Sequence, residues 1–125
     1  MPTPFEELSD LDKLIHEPSR LAILTALAAL PRSDFMYLQR ITSLNKGNLS
    51  IHLAKLEAAG LVEITKDYVD RKPRTEIRLT EQGRAEHTRY WEQLDRLRQA
   101  ARAWRPAPED QDGVNSIGTE RTPPA

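Results

Sequence analysis

Residues 45–60, with the sequence NKGNLSIHLAKLEAAG, restrict the possible folds of this chain more than any other segment. Leucines at a helical spacing of i, i+4 and i+7 predict one apolar face, formed by Leu49, Leu53 and Leu56. Asn45 is a favourable N-cap because its side-chain oxygen can accept a backbone N–H of the first turn. Gly60 suits the left-handed position after the helix, with Leu61 folding back onto Leu56. The segment therefore predicts a short helix with one buried apolar face and one exposed polar face.

Composition indicates one small domain without thiol chemistry. The chain has 125 residues, of which 38% are hydrophobic and 30% are charged, as is typical of a single globular domain. It contains no Cys, which excludes disulfides, thiolate metal sites and cysteine nucleophiles and suits a reducing cytosol. The longest apolar run, residues 21–30, is too short to span a bilayer, and residues 1–10 lack the cationic region of a secretory signal. We therefore expect a cytoplasmic protein with no membrane partner.

The net charge of −1 conceals a separation of charge along the chain. Residues 1–17 carry a net charge of −4, and residues 106–125 carry −3. Between them, residues 18–80 carry +4 and residues 81–105 carry +2. A basic middle between acidic ends matters more to a polyanionic partner than the total does. Ordinary scatter of surface charge accounts for these numbers equally well, so charge alone does not identify a partner.

The start of the chain predicts one short helix after an acidic segment. Residues 1–9 are expected to be a flexible acidic N-terminus. Ser9 or Asp10 is placed to cap a helix over residues 11–16. Pro18 then ends that helix, since the residue before a proline avoids the α region.

Two further helices precede the capped segment at residue 46. The helix predicted over residues 18–30 is apolar on most of its circumference, so we expect it in the core. Pro31 ends it, and Ser33 or Asp34 caps a third helix over about residues 34–43. The inner face of this third helix is predicted to be Phe35, Leu38 and Ile41. The turn to the next helix is short, which is typical of a helix-turn-helix.

After residue 60 the apolar spacing changes from helical to alternating. Residues 61–68 are rich in β-prone side chains, and apolar and charged residues alternate over residues 75–79, as in a half-buried strand. Between them lies VDRKPR, residues 69–74, which predicts a hairpin with a basic tip. The cations of that tip are Arg71, Lys72 and Arg74.

Residues 81–104 predict one long final helix capped by Thr80. From residue 90 onward, apolar and aromatic side chains follow a heptad spacing, at Tyr90, Leu94, Leu97, Ala101 and Trp104. We expect this seam to cross the two-fold axis of a homodimer; the alternative is a helix that folds back on its own domain. Residues 105–125 are rich in Pro, Gly and acidic side chains and are expected to be a disordered tail.

The order helix, helix, helix, strand, basic loop, strand resembles a winged helix-turn-helix. HEPSRLAIL is similar to the start of bacterial regulators of the ArsR type, and LSIHLAKLEAAGLVEI to their recognition helix and first wing strand. DFMYLQRI, GNLSIHL and LTEQGR also resemble the MarR-related winged-helix proteins of bacteria and archaea. The resemblance covers roughly residues 11–100 and implies a winged helix-turn-helix domain at residues 10–80. The fold class it implies is mainly α with a small antiparallel β-hairpin, flanked by N- and C-terminal dimerisation helices.

The resemblance implies that the early recognition-helix residues enter the major groove of double-stranded DNA. Six side chains are carried over to this interface: Lys46, Asn48, Ser50, Ile51, His52 and Lys55. Asn48 suits an adenine edge, Ile51 a thymine methyl group, and Lys55 a backbone phosphate. The basic loop matches the wing, which lies along phosphates or enters the minor groove, through Arg71, Lys72 and Arg74. The alternatives are a half-buried packing role for His52 and a solvated surface hairpin for the wing.

The chain departs from the metal-sensing members of the ArsR type. Those proteins use Cys pairs, or sets of carboxylates and histidines on one helix, whereas this chain has no Cys and three solitary histidines, His16, His52 and His87. We therefore predict no metal and no other cofactor. Phosphate-binding glycine loops, nucleophile elbows and H-E-x-x-H motifs are also absent from the sequence, so no enzyme activity is predicted.

The sequence thus predicts a small transcriptional regulator, a repressor, that binds double-stranded DNA as a homodimer. Two alternatives stay open. One is a winged helix that serves as a protein-interaction module and does not bind DNA. The other is a regulator that responds to a small-molecule effector held between the winged-helix domain and the terminal helices. Trp91 and Tyr37 are candidates to line such a pocket, although both also suit packing.

Overall fold

The structure, a computed structural model, describes residues 2–108. Within that range its elements are α1 Pro4–Ser9, α2 Pro18–Ala29, β1 Ser33–Asp34, α3 Phe35–Thr42, α4 Lys46–Ala58, β2 Val62–Val69, β3 Lys72–Leu79 and α5 Glu81–Ala103. The strands form one antiparallel sheet in the order β1-β3-β2. The predicted fold class, mainly helical with a small antiparallel hairpin, is confirmed. Most of the predicted disordered tail, from residue 109 onward, lies outside the described residues.

The core is built around α2, which other elements cover on several sides. Ile23, Leu24 and Leu27 of α2 are fully buried, as its apolar circumference predicts. The surrounding elements contribute further fully buried side chains, namely Leu38, Leu49, Leu56, Leu61 and Ile77. The helix-turn-helix of α3 and α4 and the hairpin of β2 and β3 therefore share one core with α2.

The N-terminal helix lies earlier than the sequence analysis predicted. α1 spans Pro4–Ser9, within the segment expected to be flexible, and residues 11–16 form turns. Thr3 is the N-cap, and its hydroxyl oxygen accepts the backbone N–H of Glu6 at 3.2 Å. Pro4 occupies the first helical position, where no backbone N–H is needed. α1 then packs along α5.

The predicted helix over residues 11–16 is wrong because a local side chain favours a turn. Asp12 Oδ1 accepts the backbone N–H of Leu14 at 2.9 Å, and such short-range bonds compete with helical ones. Leu11 and Ile15 nevertheless enter the core from these turns, with 3% and 2% of their surface exposed. The segment is therefore part of the core although it is not helical.

α3 differs from its prediction on one face. Leu38 is fully buried, but Ile41, predicted beside it, is 45% exposed. Residues three apart drift by about 60° around a helix, so Ile41 has turned away from the core. The predicted cap is confirmed, since Asp34 Oδ1 accepts the backbone N–H of Tyr37 at 2.6 Å.

Candidate nucleic-acid interface

α4 is fixed at both ends by the caps that the sequence predicts. The backbone N–H of Asn48 donates to Asn45 Oδ1 at 2.8 Å, which confirms the N-cap. At the other end Gly60 has a φ of +80°, a left-handed conformation that favours glycine. The backbone N–H of Leu61 donates to the Leu56 carbonyl at 3.0 Å, as in a Schellman motif. The hydrogen bonds at both ends therefore cap α4 and fix where it begins and ends.

One side of α4 is buried and the other is open to solvent. The three leucines of its predicted apolar face are buried. Ile51, on the opposite side, is 56% exposed, and the other exposed side chains proposed from the sequence are Lys46, Asn48, Ser50 and Lys55. At about 100° per residue, the outermost ridge consists of Gly47, Ile51, Ala54 and Ala58. Three of these residues are small, so the α4 backbone can closely approach a partner.

The hairpin of β2 and β3 ends in a tight, charged tip. Asp70 and Arg71 form its two-residue loop, with φ values of +52° and +66°, as a type I′ turn requires. Arg71 and Lys72 are exposed there, as expected. Tyr68, opposite Pro73 in the ladder, is 73% exposed. Tyr68 is not among the site residues predicted from the sequence, although an aromatic residue beside a basic tip is a usable signal for nucleic-acid contact.

Arg74 lies on β3 opposite Asp67, two residues beyond Lys72, and its side chain is paired with β1 and not free at the tip. Its guanidinium is 3.6 Å from the Asp34 carboxylate, and the Arg74 side chain is 51% exposed. The predicted cluster of three tip cations is therefore corrected to Arg71 and Lys72, with Arg74 held separately. An exposed ion pair of this kind contributes about 0–1 kcal/mol, so Arg74 can exchange Asp34 for another anion at little cost.

His52 faces the body of the domain. Its side chain is 17% exposed, and its Nδ1 lies 3.1 Å from Arg20 Nη1. Glu17 Oε2 lies 3.8 Å from the same nitrogen. The half-buried alternative describes His52 better than the expectation of a free base-reading side chain. Glu17 and Arg20 are not among the site residues predicted from the sequence, although both lie in the HEPSRLAIL segment.

Glu17 and Arg20 together start α2. Glu17 Oε2 accepts the backbone N–H of Arg20 at 2.7 Å, which makes Glu17 the N-cap. Burial raises the pKa of the Glu17 carboxyl, but the backbone N–H groups of Arg20 and Ser19 outweigh it and leave that pKa below its ordinary value. The ionised carboxylate also lies 3.9 Å from the guanidinium of Arg20, a residue that is only 9% exposed.

A polar cleft of about 680 Å³ lies between α3, β1 and the Arg74 side chain of β3. Arg32, Tyr37, Arg40 and Arg74 are among its lining residues, and the Arg40 guanidinium carbon is 5.2 Å from the centre of the Tyr37 ring. Trp91, on α5, does not line this cleft. Tyr37 and Trp91, both considered from the sequence as candidate pocket residues, therefore do not meet in this cleft.

Comparisons with known proteins agree with this geometry. A family model described as a winged helix DNA-binding domain matches residues 19–98. The chain belongs to this winged helix family. An uncharacterised protein of Methanocaldococcus jannaschii is 36% identical over 78 residues, which are 62% of this chain and 85% of that protein.

Solved structures show the same winged helix. A transcriptional regulator homologue from Pyrococcus horikoshii OT3 has a TM-score of 0.69 and 33% identity, over 74% of this chain and 93% of that one. The PcaV transcriptional regulator of Streptomyces coelicolor, solved with its natural ligand, has a TM-score of 0.60 and 25% identity, over 85% of this chain and 74% of that one. MarR-family regulators are also among the structural neighbours. The resemblance to a winged helix DNA-binding domain, stated from the sequence, is thereby confirmed.

In this winged helix protein, α5 folds back along its own chain. Tyr90 and Leu97 are 4% and 1% exposed, and the Tyr90 hydroxyl is 2.7 Å from His16 Nδ1. Trp104 meets the Phe5 ring of α1 edge to face, with centroids 5.2 Å apart. The expectation that Tyr90 and Leu97 cross a two-fold axis is therefore corrected, because α1 and the following turns already cover them. Of the remaining seam residues, Trp104 is exposed and two are half-buried, Leu94 and Ala101.

His87 is buried where α5 meets α2. Trp91 Nε1–H donates to His87 Nε2 at 3.0 Å, and Thr25 Oγ1 lies 2.9 Å from the same nitrogen. Because an indole N–H can only donate, Nε2 is the acceptor. Burial lowers the pKa of His87, and the charge of Arg84 lowers it further. The neutral imidazole is thus the form that the folded chain favours.

Metal-binding clusters and membrane-spanning helices are both missing from the residues that the structure describes. No group of three or more His, Cys, Asp or Glu side chains there is arranged to hold a metal ion. Over the same residues, no helix is both long and apolar enough to cross a membrane.

Proposed function

We propose that this winged helix protein is a sequence-specific transcriptional regulator that binds double-stranded DNA, acting as a dimeric repressor in the cytoplasm, associated with the nucleoid. The observation that carries the proposal is α4, a capped helix seated on the core with its outer ridge exposed. The wing that follows it ends in exposed cations, which suit phosphates. In this proposal the protein has no catalytic role.

The outer ridge of α4 faces the floor of the major groove. Asn48 can pair with an adenine edge, Ser50 with a base or phosphate, and Ile51 with a thymine methyl group. Lys46 and Lys55 neutralise phosphates on the groove walls. The wing adds sequence-independent contacts along phosphates or in the minor groove, through Arg71, Lys72 and Arg74.

A homodimer completes the proposal. One winged helix makes few phosphate contacts, whereas two copies can occupy half-sites about 34 Å apart, one DNA turn. After folding, the terminal helices still expose aromatic side chains, at Phe5, Trp91 and Trp104. Of these, Phe5 and Trp104 contact each other and support a dimer contact at the predicted seam. Leu94 and Ala101 form the edge of this contact, whereas Trp91 lies about 100° round α5 from Tyr90. The ligand complex of the similar PcaV regulator supports a small-molecule effector as a further element of control.

Titration of labelled duplexes with the full chain tests DNA binding. A duplex from the promoter region beside the gene should bind at least about 10³-fold more tightly than a shuffled one, and affinity should fall steeply with salt. Arg71→Ala and Arg74→Ala should weaken binding to all sequences and reduce the salt slope by about one each. Asn48→Ala should instead reduce discrimination, by about 1–3 kcal/mol.

A matched control is Arg98→Ala, which removes a cation of α5 that is paired with Asp95 and leaves α4 and the wing intact. It should leave both affinity and salt slope unchanged. Equal binding of promoter and shuffled duplexes would contradict sequence-specific regulation.

A further inference from the structure

One buried guanidinium joins the recognition helix α4 to the turns that precede α2. Arg20 Nε donates to the Leu14 carbonyl at 2.6 Å, and Nη2 donates to the Lys13 carbonyl at 3.2 Å. The third nitrogen, Nη1, lies 3.1 Å from His52 Nδ1. Every nitrogen of the Arg20 side chain therefore has a partner, and one of those partners is on α4.

The chemistry of arginine decides the tautomer of His52. A guanidinium carries five N–H donors and no acceptor, so His52 Nδ1 must accept the bond and cannot carry a proton. Glu17 Oε2, at 3.8 Å from Nδ1, is beyond hydrogen-bond distance and already accepts the Arg20 backbone N–H. The imidazole proton is therefore on Nε2.

The Nε2–H of His52 is left for a partner outside the chain. Among the described residues, Nε2 has no hydrogen-bond partner, and no buried side-chain nitrogen or oxygen is left unpaired. Nε2 therefore reaches the surface. On α4, His52 lies on the flank, about 100° from the outer ridge residue Ile51, whereas Asn48 and Lys55 lie nearer the ridge, at about 60° and 40° from Ile51. A flank residue of a helix in the major groove meets the phosphates of the groove wall, not the base edges.

We propose that Arg20 is a positioning residue that holds His52 in its Nε2–H tautomer, so that His52 donates an uncharged hydrogen bond to a DNA phosphate. This inference rests on the proposed DNA-binding function and adds to it a defined proton and a defined contact. His52 and Lys55 should therefore differ in their effect on the salt dependence of binding, because a neutral donor displaces no condensed counterion.

The tautomer is measured without DNA. Long-range ¹H–¹⁵N correlation spectra of the full chain with labelled histidine should show His52 with a protonated Nε2 and an unprotonated Nδ1 at neutral pH. In Arg20→Met the guanidinium is lost, and the two tautomers should become mixed. A protonated Nδ1 in the wild-type spectrum overturns the proposal, and this reading is independent of whether the variant folds.

Two substitutions of His52 test the roles of its two ring nitrogens separately. His52→Asn keeps an acceptor near the Nδ1 position but loses the distal donor, whereas His52→Gln keeps a distal N–H. We expect His52→Asn to weaken binding about ten-fold, equally on promoter and shuffled duplexes, with thermal stability unchanged. His52→Gln should stay within about two-fold of wild type, and neither variant should change the salt slope.

The outcomes distinguish this inference from the proposed function. Wild-type affinity in His52→Asn, or a salt slope reduced by about one, overturns the neutral phosphate contact while leaving DNA binding intact. If the wild-type chain binds no duplex, the proposed function fails, and with it the phosphate contact, although the spectra still decide the tautomer.

Discussion

At the residue scale, His87 makes the stability of the fold depend on pH. Its pKa is lowered in the folded chain, so the unfolded chain binds the proton more readily, and stability rises with pH. The stabilisation is complete above the ordinary histidine pKa of 6.5 and decreases as the pH falls below it. We expect thermal unfolding to occur at a lower temperature at about pH 5 than at about pH 7, together with a change in Trp91 fluorescence as the ring becomes charged.

His87→Gln is the matched control because its amide oxygen can still accept the Trp91 N–H but does not titrate. Its unfolding temperature should change less between those two pH values. Glu17 contributes little to the difference between those two pH values. Its lowered carboxyl pKa reduces stability only as the pH falls below about 4.5. A wild-type pH dependence that survives in His87→Gln would assign the effect to another group.

Replacing Arg71 with glycine should change the free energy of unfolding and the affinity for DNA in opposite directions. It holds a φ of +66° without being glycine, which costs about 1 kcal/mol or more for an L-residue with a Cβ. Arg71→Gly should therefore raise the free energy of unfolding by about 0.5–1 kcal/mol and weaken DNA binding. Urea unfolding and duplex titration measure the two effects. Arg71→Lys, which keeps both the charge and the strain, should change neither strongly; a destabilised Arg71→Gly would show that the turn is not strained.

At the scale of elements, the junction between β2 and α5 depends on Gly83. A Cβ on Gly83 would lie 2.0 Å from the Leu61 carbonyl oxygen, a backbone atom that cannot easily move. Gly83→Ala should therefore destabilise the chain by about 1–3 kcal/mol. The matched comparison is Gly47→Ala on α4, where the nearest atom is Asn45 Oδ1 at an ordinary 3.6 Å; it should stabilise by about 0.5–1 kcal/mol. Urea unfolding of both variants checks this, and similar free energies would contradict the close approach.

The same scale shows what the sequence could and could not predict. α4 was predictable because its caps and its leucine spacing all lie within residues 45–61. β1 was not, since its two residues are a strand only through their pairing with β3. The contact of Arg20 with His52 joins positions 32 residues apart, and no local spacing encodes it. α1 was missed because its N-cap, Thr3, precedes any recognisable apolar pattern.

At the scale of the whole molecule, a heptad spacing does not show whether a helix packs against its own chain or against a second copy. The seam of α5 was read correctly as an apolar stripe, but Tyr90 and Leu97 are covered within the same chain. The spacing of apolar residues shows that one face of the helix must be buried, but it does not show which chain covers that face. We therefore expect the proposed dimer to use aromatic side chains that the folded chain leaves exposed on its terminal helices, namely Phe5 and Trp104.

The proposed dimer can be tested by the mass of the protein in solution. The full chain should elute in size-exclusion chromatography with light scattering at twice the mass of one chain, which is 14.3 kDa. Trp104→Glu should shift it toward the single mass, because a charge cannot be buried unpaired at an apolar interface. Met36→Glu is the control, as Met36 is 75% exposed on α3, away from the terminal helices, and it should stay dimeric.

DNA binding links that result to function. Loss of the dimer should abolish the preference for a duplex with two half-sites over one with a single half-site, because the second contact is no longer intramolecular. Binding to the single half-site should persist, since α4 and the wing are unchanged in Trp104→Glu. A wild-type protein with the mass of one chain, or a Trp104→Glu variant that keeps the two-site preference, would show that the chain binds DNA without this interface.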